Sequence, residues 1–222
     1  MIYFLVISSG EKYQKCFDLW KYYIEKYVSS QNTIINLFNC SDYNIKTTKN
    51  TKLDIFNFSK STSQNNSDIF VFCDVDLFFI RPVDFSLVEN KSLGMVQSHV
   101  FPTIGDMIKN RPKSTNIIFT EEELKKPNYN SGLIVWNAST DLSSLSEEWK
   151  KHFTHGTSDQ LALMKACLNL NIRIQELNKN YNTPLLTKET IGFHDFIKIS
   201  LKWQNAEDFN REYLDQQIFK NS

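Results

Sequence analysis

The 222-residue sequence is poor in glycine (6) and proline (5), and neither sign of charge is in excess, 25 Lys+Arg balancing 25 Asp+Glu. So little glycine excludes collagen-like, linker-rich and β-propeller architectures. A zero net charge lacks the basic field that draws proteins to phosphate backbones, so no nucleic-acid partner is expected. The cysteines Cys16, Cys40, Cys73 and Cys167 stand far apart without a CxxC pair. That excludes a zinc framework or a dense disulfide scaffold and leaves four reduced thiols. No run approaches the ~20 apolar residues that cross a bilayer. The apolar opening is cut short by Ser8-Ser9-Gly10-Glu11-Lys12, too early for a signal peptide. These absences predict a cytoplasmic protein with no transmembrane segment. What the chain does have is 41% hydrophobic and 14% aromatic residues, enough for one well-packed domain at this length.

Hydrophobic periodicity sets the order of elements. Residues 2–7 form an apolar run that reads as a buried strand ending in a turn. Tyr13, Cys16, Phe17, Trp20, Tyr23, Ile24 and Tyr27 then recur at three- and four-residue spacing, one face of a helix. Residues 33–38 return to strand composition, so a βαβ unit with a parallel sheet follows. Residues 46–62 predict a weak helix, 69–73 a strongly apolar strand and 93–97 another strand. Residues 102–128 read as a mixed loop with a short acidic helix near 121–126. Residues 129–138 predict a strand, 141–153 and 158–169 helices, 171–177 a short strand, 191–195 one more, and 206–219 a closing helix. The fold class is α/β, a mostly parallel central sheet flanked by helices.

The most informative residues are Asp74 and Asp76, which leave the carboxyl end of Ile69-Phe70-Val71-Phe72-Cys73. Ligands of open α/β sheets bind at that edge. Carboxylates one residue apart in extended chain project to the same side and repel. A hard divalent cation, Mn²⁺ or Mg²⁺, removes that repulsion and bridges to diphosphate oxygens. A solvated turn, with both Asp side chains capping backbone amides, is the other arrangement the pattern allows.

Residues 69–79 (Ile-Phe-Val-Phe-Cys-Asp-Val-Asp-Leu-Phe-Phe) resemble the strand and Asp-x-Asp signature of GT-A-fold glycosyltransferases. Tyr129-Asn130-Ser131-Gly132-Leu133 is similar to the Asn-(Ser/Ala)-Gly strand of glycosyltransferase family 8, the glycogenin-type enzymes. Ser158-Asp159-Gln160 resembles the Asp-Gln helix start that comes next in that family, and Ile191-Gly192-Phe193-His194 its late metal-binding strand.

The resemblance implies a GT-A domain with a nucleotide-binding half over 1–80, a sugar and acceptor half over 81–205 and a C-terminal helix over 206–222. It implies Asp74, Asp76 and His194 as metal ligands for Mn²⁺ or Mg²⁺, with Asp74 also on the donor ribose. Ser8 and Ser9 would line the nucleotide pocket. Asn130, Ser131 and Gly132 would contact the donor sugar, and Asp159 and Gln160 would face the reacting carbon or the acceptor hydroxyl. The implied activity moves a sugar, with retention, from a nucleoside-diphosphate donor, a UDP-sugar above all, to a hydroxyl of a glycan or protein.

The sequence departs from the family after its His. Asp195-Phe196-Ile197-Lys198 replaces the Gly and Lys-Pro-Trp pattern, and Lys202-Trp203 comes later. Lys198 and Lys202 are therefore rival diphosphate ligands, with Lys198 the closer to the His. Two other classes stay open. Asp74 could be the nucleophile of a haloacid-dehalogenase-like phosphatase, although Gly105-Asp106 lacks the second acid that motif requires. A non-catalytic sugar-binding protein on the same fold is the other.

Overall fold

The computed structural model describes residues 1–28, 32–40, 45–63, 65–114, 116–154 and 157–194. Strand and helix alternate through its first third: β1 (Ile2–Ser9), α1 (Glu11–Tyr27), β2 (Asn32–Cys40), α2 (Ile45–Leu53), α3 (Ile55–Thr62) and β3 (Ile69–Cys73). There follow β4 (Leu77–Phe79), β5 (Ser92–Gln97), α4 (Ile104–Asn110), α5 (Glu121–Leu124) and β6 (Tyr129–Asn137). The last described elements are α6 (Ser143–His152), α7 (Asp159–Asn169), β7 (Arg173–Glu176) and β8 (Gly192–His194). Among the described residues no helix is long and apolar enough to cross a membrane.

The main sheet has the order β2-β1-β3-β6-β5-β7, and β4 and β8 form a separate two-stranded sheet. β1 pairs in parallel with both β2 and β3, and β5 with β7, while β6 is antiparallel to its neighbours β3 and β5. The result is a mixed α/β architecture with a mostly parallel central sheet flanked by helices.

Successive side chains of a strand point to opposite faces, and here both faces are covered. Phe4, Val6, Val71, Cys73, Leu133 and Val135 face α1, through Trp20, Tyr23 and Ile24, and the β4–β8 sheet, through Phe78, Phe79 and Phe193. Tyr3, Leu5, Phe70, Phe72, Ile134 and Trp136 face α3, α6 and α7, through Phe56, Trp149, Leu161 and Met164. Burial on both sides is why these strands read as unbroken apolar runs rather than as alternating ones.

The reversal of β6 positions the site. The chain leaves the end of β5, makes the excursion 98–128, and returns at that same end. Ser98 N–H donates to the Asn128 carbonyl, Asn128 N–H donates to the Pro102 carbonyl, and Gln97 stands opposite Tyr129. A strand that re-enters where its predecessor left must run antiparallel to it. The polar start of β6 therefore lies at the sheet edge where β3 ends.

Four elements differ from the sequence expectations, the first being β4, a strand over Leu77–Phe79 where none is expected. The single helix expected over 46–62 is two, α2 and α3, broken at Asp54, whose φ of −99° and ψ of 3° leave the helical region. The excursion 98–128 contains α4, whose Thr103 and Asp106 cap each other's backbone N–H groups, a local signal that the reading of a mixed loop overlooked. Helix α7 buries Leu161, Ala162, Leu163, Met164, Ala166 and Cys167, more than the single face expected. It is packed against both α6 and the sheet.

Candidate functional site

Three segments meet at the carboxyl end of β3. Asp74 follows β3 directly, and its N–H donates to the Gly132 carbonyl at 2.8 Å, which joins it to the start of β6. Asp76 immediately precedes β4. His194 ends β8 and stands opposite Leu77 in the β4–β8 ladder, which brings it beside Asp76. Asp74, Asp76 and His194 each offer a ligand atom, and those atoms lie within 4.8 Å of one another. His194 Nε2 is 3.3 Å from Asp76 Oδ1 and 4.0 Å from Asp74 Oδ2. Asp76 and His194 are buried, while the Asp74 side chain is 33% exposed.

Two carboxylate oxygens and one imidazole nitrogen form a donor set that could hold a divalent cation. An octahedral ion holding ligands at about 2.1 Å spaces adjacent ones about 3 Å apart and opposite ones about 4.2 Å apart. The two Nε2–oxygen separations fall within that range.

The other oxygen of Asp74 belongs to a second cluster. Lys52, near the end of α2, lies 3.2 Å from Asp74 Oδ1 and 2.9 Å from Asp159 Oδ2. Ser131 Oγ donates to Asp159 Oδ2 at 3.1 Å. The Lys52 ammonium also sits 5.0 Å from the centre of the Phe72 ring. Burial alone would lower the pKa of Lys52, but the Asp159 and Asp74 carboxylates outweigh it and hold the pKa above its ordinary value. Burial pushes the Asp74 carboxyl up; Lys52 and His194 pull it back and Asp76 and Asp159 add to it, leaving it above the ordinary range. A cation at the triad would act against that rise.

Asp159 opens α7. Ser158 Oγ accepts from Leu161 N–H, and Trp149 Nε1 donates to the Asp159 carbonyl at 2.9 Å. Capping and the ion pair coexist because the first uses Ser158 and the second the Asp159 side chain. Gln160 is held elsewhere, donating to Asn128 Oδ1 at 2.9 Å.

Asn130 Oδ1 accepts from Gly132 N–H at 2.7 Å and from Asn182 Nδ2 at 3.2 Å. Asn182 Oδ1 in turn lies 2.9 Å from His194 Nδ1. Ser8 and Ser9 are buried at the carboxyl end of β1, and Ser8 Oγ accepts from Asn36 Nδ2. Lys198, its rival Lys202 and the helix expected over 206–222 lie outside the described residues.

Of the residues predicted from sequence, the structure gathers Asp74, Asp76, His194, Asn130, Ser131, Gly132 and Asp159 in one place. Sequence reasoning missed Lys52 and Asn182. A lysine in a polar helix carries no signal that it is buried, and Asn182 is one of three alternate asparagines in 178–182. No protein-family model matches the chain and no curated protein matches its sequence.

Proposed function

We propose that the protein is a metal-dependent glycosyltransferase of the GT-A type. It would transfer a sugar from a nucleoside-diphosphate donor, in the first instance a UDP-sugar, to a hydroxyl of a glycan or protein acceptor. One observation carries this reading: Asp74, Asp76 and His194 converge at the carboxyl edge of a mostly parallel sheet, with Asp159 joined to the same Asp74 through Lys52.

Asp74, Asp76 and His194 would hold Mn²⁺ or Mg²⁺. That ion would supply Lewis-acid stabilisation of the departing diphosphate, where negative charge develops. The remaining work falls to the chain's own residues. Asp74 links the two halves, with Oδ2 toward His194 and Oδ1 on Lys52. Lys52 and Ser131 hold the Asp159 Oδ2 in place. Asp159 would then be the carboxylate that faces the reacting sugar carbon or the acceptor hydroxyl. Transfer with retention is the outcome the family resemblance favours.

The phosphatase alternative requires a second acidic pair beside Asp74. Asp106, the nearest sequence candidate, is instead engaged in capping α4, where its Oδ2 accepts from Thr103.

Calorimetric titration with a panel of nucleoside-diphosphate sugars, each with Mn²⁺ and with chelator, tests the reading. Metal-dependent binding of one donor, lost in Asp76→Ala while the folded state persists, is expected. If every donor fails to bind in both conditions, the transferase reading falls.

A further inference from the structure

The amide of Asn182 joins the metal triad to the backbone of β6 through an unbroken chain of hydrogen bonds. The direction of that chain is set at its far end. Gly132 N–H is a backbone donor, so the Asn130 atom it meets at 2.7 Å must be the acceptor, Oδ1. The Asn182 atom 3.2 Å from that oxygen must then be the donor, Nδ2. Both amide orientations are thereby fixed, although neither asparagine could be oriented by shape alone. Asn182 consequently turns its Oδ1 to His194 Nδ1 at 2.9 Å. An oxygen acceptor there requires the imidazole proton to sit on Nδ1.

We propose that Asn182, oriented by Asn130 and the Gly132 N–H, is a positioning residue that keeps the His194 proton on Nδ1 and turns the Nε2 lone pair toward Asp74 and Asp76. The functional consequence rests on the metal-site reading above. A histidine binds metal through an unprotonated ring nitrogen, and the hydrogen bond made by the other nitrogen decides which one that is.

The backbone is built to keep Asn182 in register. His194 N–H donates to the Thr183 carbonyl at 2.9 Å, and Thr183 N–H donates to the Gly192 carbonyl at 3.0 Å. Asn182 is buried, 3% exposed, so water does not compete freely for its amide. The relay also takes both lone pairs of Asn130 Oδ1, so Asn130 would meet a sugar with its Nδ2 donor.

The test is a long-range ¹H–¹⁵N spectrum of the histidine rings in metal-free protein, at a pH where the same spectrum reports a neutral His194 ring. The expected result is a proton on Nδ1. A neutral ring with its proton on Nε2 in the unaltered protein overturns the proposal, and this measurement needs no variant to fold. Two substitutions sharpen it. Asn182→Leu removes the acceptor and should move the proton to Nε2 and weaken Mn²⁺ binding about 10–100-fold. Asn182→Asp keeps an acceptor and should retain the Nδ1 proton. Unchanged tautomers in both, or equal loss in both, overturn it too. Should Mn²⁺ fail to bind the unaltered protein, the metal reading fails, while the tautomer measurement still decides the relay.

Discussion

Three site groups crowd the space where a side chain on residue 132 would begin. A Cβ built on Gly132 would lie 2.7 Å from Asp74 Oδ2, 2.8 Å from Asn130 Oδ1 and 2.9 Å from His194 Cε1. Each neighbour is the end of a side chain, so the backbone can accept a methyl group by moving the site groups. Gly132→Ala should therefore cost about 1–3 kcal/mol of stability and weaken Mn²⁺ binding at least tenfold. Urea unfolding and a calorimetric metal titration check the two effects separately. Legibility differed from residue to residue within this one cluster. Asp74, Asp76 and Asn130-Ser131-Gly132 stand in short contiguous patterns whose chemistry is local. Lys52 and Asn182 acquire their roles only from what the fold packs beside them.

At the scale of elements, the small β4–β8 sheet carries one side of the triad. Asp76 and His194 are 118 positions apart, yet adjacent because Leu77 pairs with His194 and Phe79 with Gly192. β8 is pressed on its other side against the segment after the 3-10 turn Lys179–Tyr181. A Cβ on Gly192 would run into the Tyr181 carbonyl oxygen. This neighbour is backbone, and relief requires β8 to separate from 181–183. Gly192→Ala should therefore destabilise by about 3 kcal/mol, a fall of about 6–12 °C in Tm for a chain of this size. It should also abolish metal binding by displacing His194. Calorimetric melting and the metal titration would show both losses together, unlike the smaller stability loss expected of Gly132→Ala. The strand over 191–195 was readable in sequence. Its pairing with β4 was not, because three-residue strands carry too few alternations to specify a partner.

For the whole molecule, two apolar layers enclose the sheet and bury the free thiols of Cys16, Cys73 and Cys167. Burial pushes the Cys167 thiol up to about 12 and the Cys73 thiol well above its ordinary value. In the unfolded chain such a thiol ionises near pH 8.5. Above that pH the unfolded state binds fewer protons than the folded one, so stability falls as pH rises. By pH 10 the Cys167 contribution amounts to about 2 kcal/mol. Lys52, whose pKa is raised, holds its contribution below its unfolded pKa of about 10.4 and loses it only above that. Urea midpoints between pH 8 and 10 should therefore decline, and Cys167→Ala should make the decline shallower by one proton. An unchanged slope would show that Cys167 ionises equally in both states.

The sequence by itself determined the βαβ opening, the apolar strands over 69–73, 93–97 and 129–138, the aromatic face of α1 and the α/β class. It also determined the acidic pair at the end of β3 and the helix start at Ser158-Asp159. All of these are written in contiguous residues whose periodicity and turn chemistry act over a few positions. Tertiary structure alone decided that β6 runs backwards between β3 and β5, that Lys52 sits between Asp74 and Asp159, and that an asparagine orients His194. Those outcomes depend on the partners a segment meets across dozens of residues of chain, and no local pattern specifies which side chains will share a buried space.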